Sequence, residues 1–565
     1  MRSIVTLLGL SILLATPLVA QVGGEPGFQR RFAGQASYRH LGRSVTYVGD
    51  INADGFADIA FGGDGDPGGL RDLGAVRVVS GNSSQILFER IGTSHSYYPM
   101  PFSGVGDVDG DGVDDLGLPE LDFHSSSLYT SMVNIYSGAT GQLIYRFDDI
   151  SLQVDLYYAR VSGAGDVDGD GFADIIIGAP FATSYGHLEA GAAFVFSGAT
   201  GNLLHRLRGG EPGIKFGSTV DGAGDLDGDG FDDLLIAAPY TSISGSGRDA
   251  GSVFVISGAT GQRLFRYDGR GGFHKLGFSL AGLGDLDGDG TPDFIVGEPW
   301  ARVDGVNFIG AAIVFSGATG VPIFIVEGET VNGYFGYSCA NAGDIDDDGT
   351  DDFIVGTPRA PSPSAIDAGS FSIYSGATGL LLVREFGEGA NAWLGTSVSS
   401  AGDVDGDGNI EVIVGAAEAN TAFTDAGAVF VYDFEPFLNS STYSVSAAAG
   451  GVVNFTLDFP EAAGGDEYKI LISATGMGPS TYGVRIPLTM DNMMTDSLNG
   501  IYPFNNYVGL HGTLSISGEA SASITMAPGL PISLVGRPFW FAAIAGPAGG
   551  LPEYSSVAVP IKVTN

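Results

Sequence analysis

Seven short stretches of this chain hold carboxylates at a fixed spacing. The third, Asp166-Val167-Asp168-Gly169-Asp170-Gly171-Phe172-Ala173-Asp174, shows the pattern plainly. With its first aspartate as position 1, side-chain oxygens fall at positions 1, 3, 5 and 9, a glycine at 6 permits a sharp bend, and the position 7 carbonyl offers a further oxygen. Alternating short carboxylates around a glycine turn make an all-oxygen cage for a hard cation. Ca2+ suits it better than Mg2+, which keeps several waters and few carboxylates. The side-chain ligands predicted in this way are Asp50, Asn52, Asp54 and Asp58; Asp107, Asp109, Asp111 and Asp115; Asp166, Asp168, Asp170 and Asp174; Asp225, Asp227, Asp229 and Asp233; Asp285, Asp287, Asp289 and Asp293; Asp344, Asp346, Asp348 and Asp352; and Asp403, Asp405, Asp407 and Glu411. The matching carbonyls are those of Phe56, Val113, Phe172, Phe231, Thr291, Thr350 and Asn409. Asn52 and Glu411 stand where the other loops carry aspartate, which predicts weaker binding in the first and seventh loops.

A helix–loop–helix calcium site does not fit. It needs glutamate at position 12, and the third loop has Ile177 there, inside the apolar run Ile175-Ile176-Ile177-Gly178. The ion is therefore expected in a strand-to-strand hairpin. Without it, two carboxylates about 4 Å apart repel by roughly 4 kcal/mol at an effective dielectric near 20. Up to seven structural Ca2+ ions would remove that repulsion and tie the strands together. Catalytic use of these aspartates, and a solvated acidic turn without metal, are the other readings of the same residues. The chain has one cysteine, Cys339, so no intramolecular disulfide can do this work; its apolar context reads as a buried, inert thiol.

The elements that must position the loops follow from their period. The loops start at Asp50, Asp107, Asp166, Asp225, Asp285, Asp344 and Asp403, 57 to 60 residues apart. Each unit runs through a small-residue strand (Phe278–Ala281 in the fifth), the acidic loop, an apolar run (Phe294–Gly297), a variable loop, a strand (Ala312–Phe315), a Ser-Gly-Ala-Thr-Gly turn and a last strand. Four strands repeated seven times predict an all-β chain with a seven-bladed β-propeller over residues 27–436. The seventh unit lacks the turn and the fourth strand after Val429–Tyr432. Arg30–Gly34 is like Phe265–Gly269 and His205–Gly209, so residues 27–34 are expected to supply that outer strand and close the ring.

The period stops beyond Pro436. Residues 437–442 read as a linker and 443–565 as a C-terminal β-sandwich, with strands at Leu514–Ser517, Ala522–Thr525, Phe539–Ala542 and Val557–Val559 and a hairpin at Gly518-Glu519. Residues 1–20 have the charged start, short apolar run and Leu18-Val19-Ala20 end of a secretory signal peptide, which places the protein outside the cell or on its surface. No membrane span is expected after signal cleavage; the uncharged stretch Phe308–Val326 is broken by a Ser-Gly-Ala-Thr-Gly turn. The net charge of −40 argues against nucleic acid or an anionic membrane as partner. Seven divalent ions would offset only part of it.

Phe216-Gly217 and Phe335-Gly336 before the loop, with Gly178-Ala179-Pro180 after it, resemble the FG-GAP repeat of integrin α-subunit propellers and of many secreted bacterial proteins. The resemblance covers roughly residues 27–436 and implies a seven-bladed propeller with calcium in hairpins on one face, coordinated through positions 1, 3, 5, 7 and 9. Blade two reads Leu118-Pro119-Glu120 in place of Gly-Ala-Pro, and blade seven Gly415-Ala416-Ala417. Integrin cell-adhesion signalling does not transfer, because no integrin stalk or inserted ligand-binding domain is read here.

Strands that run alternately in and out would put the calcium hairpins and the Ser-Gly-Ala-Thr-Gly turns on one face and the variable loops on the other, where ligands bind on rigid scaffolds. The residue after the Gly-Ala-Pro proline is large in several blades: Phe181, Tyr240, Trp300 and Arg359. Linking loops add Tyr97, Tyr98, Tyr157, Tyr158 and Trp393. Phe181, Tyr240, Trp300, Arg359 and Trp393 are the candidate ligand residues, stacking on sugar rings or peptides; packing between blades is the alternative. His40, His95, His124, His187 and His274 fall in loops of that face but complete no catalytic pattern and read as scattered, solvated side chains. The expected function is a monomeric, secreted, calcium-stabilised module binding an extracellular carbohydrate or protein without catalysis. A secreted polysaccharide lyase or hydrolase using the loop face and a structural cell-surface or matrix protein are the alternatives.

Overall fold

The computed structural model describes residues 30–34, 40–63, 74–92, 96–97, 101–125, 128–362, 364–421, 423–434, 436, 438–440, 444–459, 463–474, 480–482, 484–486, 493, 497, 507–508, 510–526, 528, 534–535, 537–548, 552, 554–556 and 559–564. Tyr98, the signal segment and residues 27–29 lie outside them.

Glycine-punctuated apolar runs too short for helices form seven antiparallel sheets whose strands follow one another in the chain. Blade three is representative, with strands Arg160–Gly165, Asp174–Ala179, Ala192–Phe196 and Leu203–Arg208 from the inside outward. Its two middle strands are buried throughout, and side-chain alternation sends their residues to opposite neighbours. Ile175 and Ile177 pack with Val133 and Ile135 of blade two, while Ile176 packs with Leu234 and Ile236 of blade four. The core of the ring is thus a set of inter-blade layers, each fully buried aliphatic side chain contributing about 1.5–3 kcal/mol.

The innermost strands, Ser44–Tyr47, Ser103–Gly106, Arg160–Gly165, Thr219–Gly224, Ser279–Gly282, Ser338–Gly343 and Leu394–Gly402, touch in sequence around a full circle, blade seven against blade one. The chain is a seven-bladed β-propeller. In blade seven the order from the outside is Arg30–Ala33, Ala428–Tyr432, Glu411–Ala416 and Leu394–Gly402, with Phe32 opposite Val429. Phe32 is fully buried and meets Phe61 of blade one at 4.8 Å between ring centroids. Blade two is irregular, with a long hairpin of Asp115–Ser125 and Leu128–Tyr136 and the extra strand Ser96–Tyr97.

After the ring come two sheets that share one core. Val453, Phe455 and Leu457 from one pack with Ile470, Ile472, Phe541 and Ile561 from the other. Two local expectations are corrected here. Leu438–Ser440, inside the stretch read as a linker, is a strand paired with Gly451–Asp458. Leu514–Ser517 is a turn: Ser515 Oγ accepts hydrogen bonds from the backbone N–H of Ser517 and Glu519, and Ile516 is 93% exposed. Apolar alternation without a partner strand does not make a strand. The strand begins at Glu519 and includes Ala522–Thr525. Phe539–Ala542 lies in strand Pro538–Gly546; Val559 starts a strand, and Val557 and Ala558 lie outside the described residues. Trp540 Nε1 donates to the Leu381 carbonyl of blade six at 3.2 Å.

Candidate functional site

Each acidic loop is the hairpin between the first and second strands of a blade. In the third, the Asp166 carboxylate accepts from the N–H groups of Gly169, Asp170 and Gly171 at 2.7–3.1 Å, which curls the loop and turns the other carboxylates inward. Ligand oxygens of Asp166, Asp168 and Asp174 lie within 4.8 Å of one another, as do those of Asp107, Asp109 and Asp115, of Asp225, Asp227 and Asp229, of Asp285, Asp287 and Asp289, and of Asp344, Asp346 and Asp348.

Position 9 has a second task that the spacing did not reveal. Asp174 is fully buried, and its two oxygens accept from Val167 N–H at 2.8 Å and from Gly198 N–H, in the Ser-Gly-Ala-Thr-Gly turn, at 2.8 Å. The same pair of bonds recurs at Asp58, Asp115, Asp233, Asp293 and Asp352. Hairpin and turn therefore share one face and are cross-linked by one carboxylate. Gly198 is required there because a Cβ would collide with the Ala173 carbonyl. Burial pushes these carboxyls up to about 6 at Asp58, Asp115, Asp174, Asp233 and Asp293, against the backbone bonds that favour the charge.

The loops are also linked between blades. Asp232 N–H donates to the Asp166 carbonyl at 3.0 Å, Ala173 N–H to Asp107 at 3.1 Å, and, across the ring closure, Ala57 N–H to Asp403 at 2.8 Å. The position 7 phenylalanines Phe56, Phe172 and Phe231 cover the position 4 glycines Gly406, Gly110 and Gly169 of the preceding blades.

Both carboxylate oxygens of Asp346, Oδ2 of Asp348 and Oε1 of Glu411 are buried with no hydrogen-bond partner. Orphaned anionic oxygens facing other carboxylates are what a hard cation satisfies, so these residues fit Ca2+. In the bare chain, burial and the neighbouring Asp348 and Asp344 push Asp346 up to about 8. Blade seven is the odd one. Glu411 Oε2 accepts from Val404 N–H at 2.7 Å, but with no Ser-Gly turn its second oxygen finds no donor. Asp433, following Tyr432 as Ser197 follows Phe196, brings another carboxylate instead, and burial pushes Glu411 up to about 9 and Asp433 to about 7.

The opposite rim is built differently. Arg160 pairs with Gly178 and Gly165 with Asp174, so the starts of the inner strands and the residues after Gly-Ala-Pro lie at the end away from the acidic loops. Four of the five candidate ligand residues stack on cations, three of them across blade boundaries. Lys215 Nζ lies 4.3 Å from the Phe181 ring and 4.9 Å from Tyr240; Lys275 Nζ lies 4.9 Å from Tyr240 and 4.2 Å from Trp300. The Arg359 guanidinium is 5.7 Å from Tyr334 and 5.8 Å from Trp393, and Tyr334 meets Trp300 at 5.7 Å. Phe181, Tyr240, Trp300, Arg359 and Trp393 are half-buried. They thus form one arc from blade three to blade seven. Lys215, Lys275 and Tyr334 escaped the sequence reading, although each directly precedes an Phe-Gly or Leu-Gly pair that could have flagged them.

The histidines are not uniformly solvated. His274 is buried, its Nε2 accepts from Arg302 N–H at 3.2 Å, and its Nδ1 lies 3.6 Å from the buried Glu298, which Arg270 also pairs with at 2.9 Å. His40 pairs with Glu418 at 3.5 Å, and His187 is exposed. The side chains of His95, His124 and Tyr97 lie outside the described residues. Cys339 is buried, accepts from Ser279 Oγ at 3.4 Å, and burial pushes its thiol up to about 12, so it is inert.

The FG-GAP repeat model matches residues 158–196, 216–256 and 276–315, which are blades three to five. With the ring of four-stranded sheets, this makes the chain a β-propeller that carries FG-GAP repeats and is similar to integrin α chains. Its relatives include integrin alpha pat-2 of Caenorhabditis briggsae, 31% identical over 38% of this chain and 19% of the relative. Integrin alpha-V of Gallus gallus is 34% identical over 34% and 19%, and integrin alpha-IIb of Homo sapiens 31% over 36% and 20%. The chain thus spans about a fifth of the length of the curated relatives it matches. No described helix is long and apolar enough to cross a membrane.

Proposed function

We propose that this protein is a secreted binding module: a signal peptide over residues 1–20, a propeller over 27–436 closed by the strand in 27–34, and a sandwich beyond it that begins at Leu438 rather than 443. In this reading Ca2+ fills up to seven hairpins on one face and holds the ring rigid, and the monomer binds an extracellular carbohydrate or protein on the other face without turning it over. The observation that supports it most is the division of labour between the two rims. The repeated carboxylates serve the ring itself, whereas the aromatic–cation arc serves no contact that the other blades need. The similarity to integrin α chains favours adhesion to a ligand over structural filling. Calcium-loaded protein incubated with glycan and protein arrays, with product formation followed in parallel, tests this. Saturable binding without product is expected; product formation replaces it with an enzyme, and an absence of binding to either array removes it.

A further inference from the structure

The mouth of the central channel on the loop face opens into a cavity of about 640 Å³. Its floor breaks the repeat in two blades: blade two has Pro101 there, and blade three a charge. Five blades begin the inner strand with Ser44, Thr219, Ser279, Ser338 or Ser397, and each of these hydroxyls donates to a carbonyl of the next blade. Register puts Arg160 at that position in blade three. Its guanidinium donates to the Tyr158 carbonyl at 3.3 Å, and among the described residues no carboxylate lies within ion-pair distance of it. Arg43 lines the same cavity. Burial lowers Arg160 to about 10, and Arg43 acts in the same direction, so two like charges share the pit.

The rim repeats the theme. The residue that opens each inter-blade step, His40, Tyr158, Lys215, Lys275, Tyr334 or Trp393, has φ between 48° and 60°. Glycine would be unstrained there, yet the chain places large functional side chains in the left-handed region, as it does where side-chain direction matters more than backbone ease. The rings of Phe181, Tyr240 and Trp300 already carry Lys215 and Lys275. They hold the ammonium groups in place, Tyr240 between two of them. Lys215 leans on Glu189 at 3.6 Å and Arg359 on Asp367 at 2.9 Å, while no described carboxylate lies within ion-pair distance of Lys275. A chain of net charge −40 has thus gathered cations at one mouth, and Arg160 and Lys275 among them have no described carboxylate within ion-pair distance.

We propose that this funnel binds an acidic oligosaccharide whose sugar rings carry carboxylates, with one carboxylate on Arg160 and Arg43 in the pit and the next ones along the Lys275 side of the rim. The cavity is sized for a short chain and not for a folded surface. Tyr158 packs edge-on against Tyr157 at 4.4 Å and is 43% exposed, so its open side can lie against a sugar face, and Asp221 at the wall can accept from hydroxyls. The inference rests on the binding-module reading and names its ligand.

Titration calorimetry on the calcium-loaded full chain tests it with tetragalacturonate, a neutral galactose oligomer of the same length and hexaglutamate, each at low and high salt. Tetragalacturonate should bind, weaken with salt, and lose about tenfold in affinity in Arg160→Met and several-fold in Lys275→Met, whose half-buried rim position leaves the fold intact by melting temperature. Equal binding of the neutral oligomer, or uronate binding unchanged in both variants, overturns the inference. Hexaglutamate bound in place of the uronate overturns it in favour of an acidic peptide and leaves the binding module standing. No binding of any probe overturns it as well, and the module itself then falls only if the arrays are also silent.

Discussion

The two rims of the ring distribute their chemistry in opposite ways. On the acidic rim six of the seven blades repeat one solution, down to the paired bonds that Asp58, Asp115, Asp174, Asp233, Asp293 and Asp352 make to their hairpins and turns. On the loop rim neighbouring blades contribute different partners, Lys215 then Lys275 then Arg359, on Phe181, Tyr240, Trp300 and Trp393. A feature that recurs from blade to blade meets a need that the blades share, namely to be held to their neighbours. A feature that changes from blade to blade is fitted to one object lying across several of them.

The sharpest way to break this contrast is to remove the cations. At a cation concentration 100 times the dissociation constant, each occupied loop adds about 2.7 kcal/mol to the folded state. Chelation should therefore lower the melting temperature by on the order of 10 °C or more. A scanning calorimetry trace unmoved by chelator would mean that the acidic rim does not hold the ring. The next largest effect concerns position 9. Asp174→Ala leaves the buried N–H groups of Val167 and Gly198 without acceptors and removes a ligand, so urea unfolding with saturating Ca2+ should show a loss of about 3–5 kcal/mol. Glu411→Ala strands only Val404 N–H and should cost less than half as much. Equal losses would show that the turn contact is not what distinguishes blade seven.

On the other rim the order of effects should reverse. Trp300→Ala removes a half-buried ring that meets Phe278 at 4.7 Å and carries Lys275, for a stability loss of about 1–2 kcal/mol. Calcium uptake should be unchanged while ligand binding falls. A stable variant that keeps full binding removes Trp300 from the site.

The acidic rim was legible in the sequence because a period of 57 to 60 residues prints the same ligand spacing seven times. Local spacing cannot show where a carboxylate's second bond goes, so the bond from Gly198 N–H to Asp174, 24 residues away, was not legible. The loop rim was half legible. Phe181, Tyr240 and Trp300 follow a recognisable proline or its equivalent, but Lys215 meets Phe181 only once blades three and four are side by side. In the C-terminal region the alternation at Leu514–Ser517 misled because it has no partner strand, whereas Ala522–Thr525 is paired with Gly451–Asp458.

The effect of pH is the most telling for the funnel. Asp221 lines it, accepting from Ser162 Oγ at 2.6 Å and Gly282 N–H at 3.2 Å, and burial pushes its carboxyl from 3.8 up to about 6 despite those bonds. The folded state therefore holds this proton more tightly than the unfolded chain does. Its contribution to stability is fully present below pH 4 and is lost as the pH rises through 6. Asp221→Asn should match the parent at low pH and exceed it by about 1–3 kcal/mol at pH 7.5, read from urea unfolding with Ca2+ saturating so that the loop carboxylates cancel in the difference. If the gap is absent, a cation is already compensating Asp221, and Arg160 is a candidate that lines the same cavity. The guanidinium would then be engaged before any ligand arrives, and the loop rim would be as self-satisfied as the acidic one.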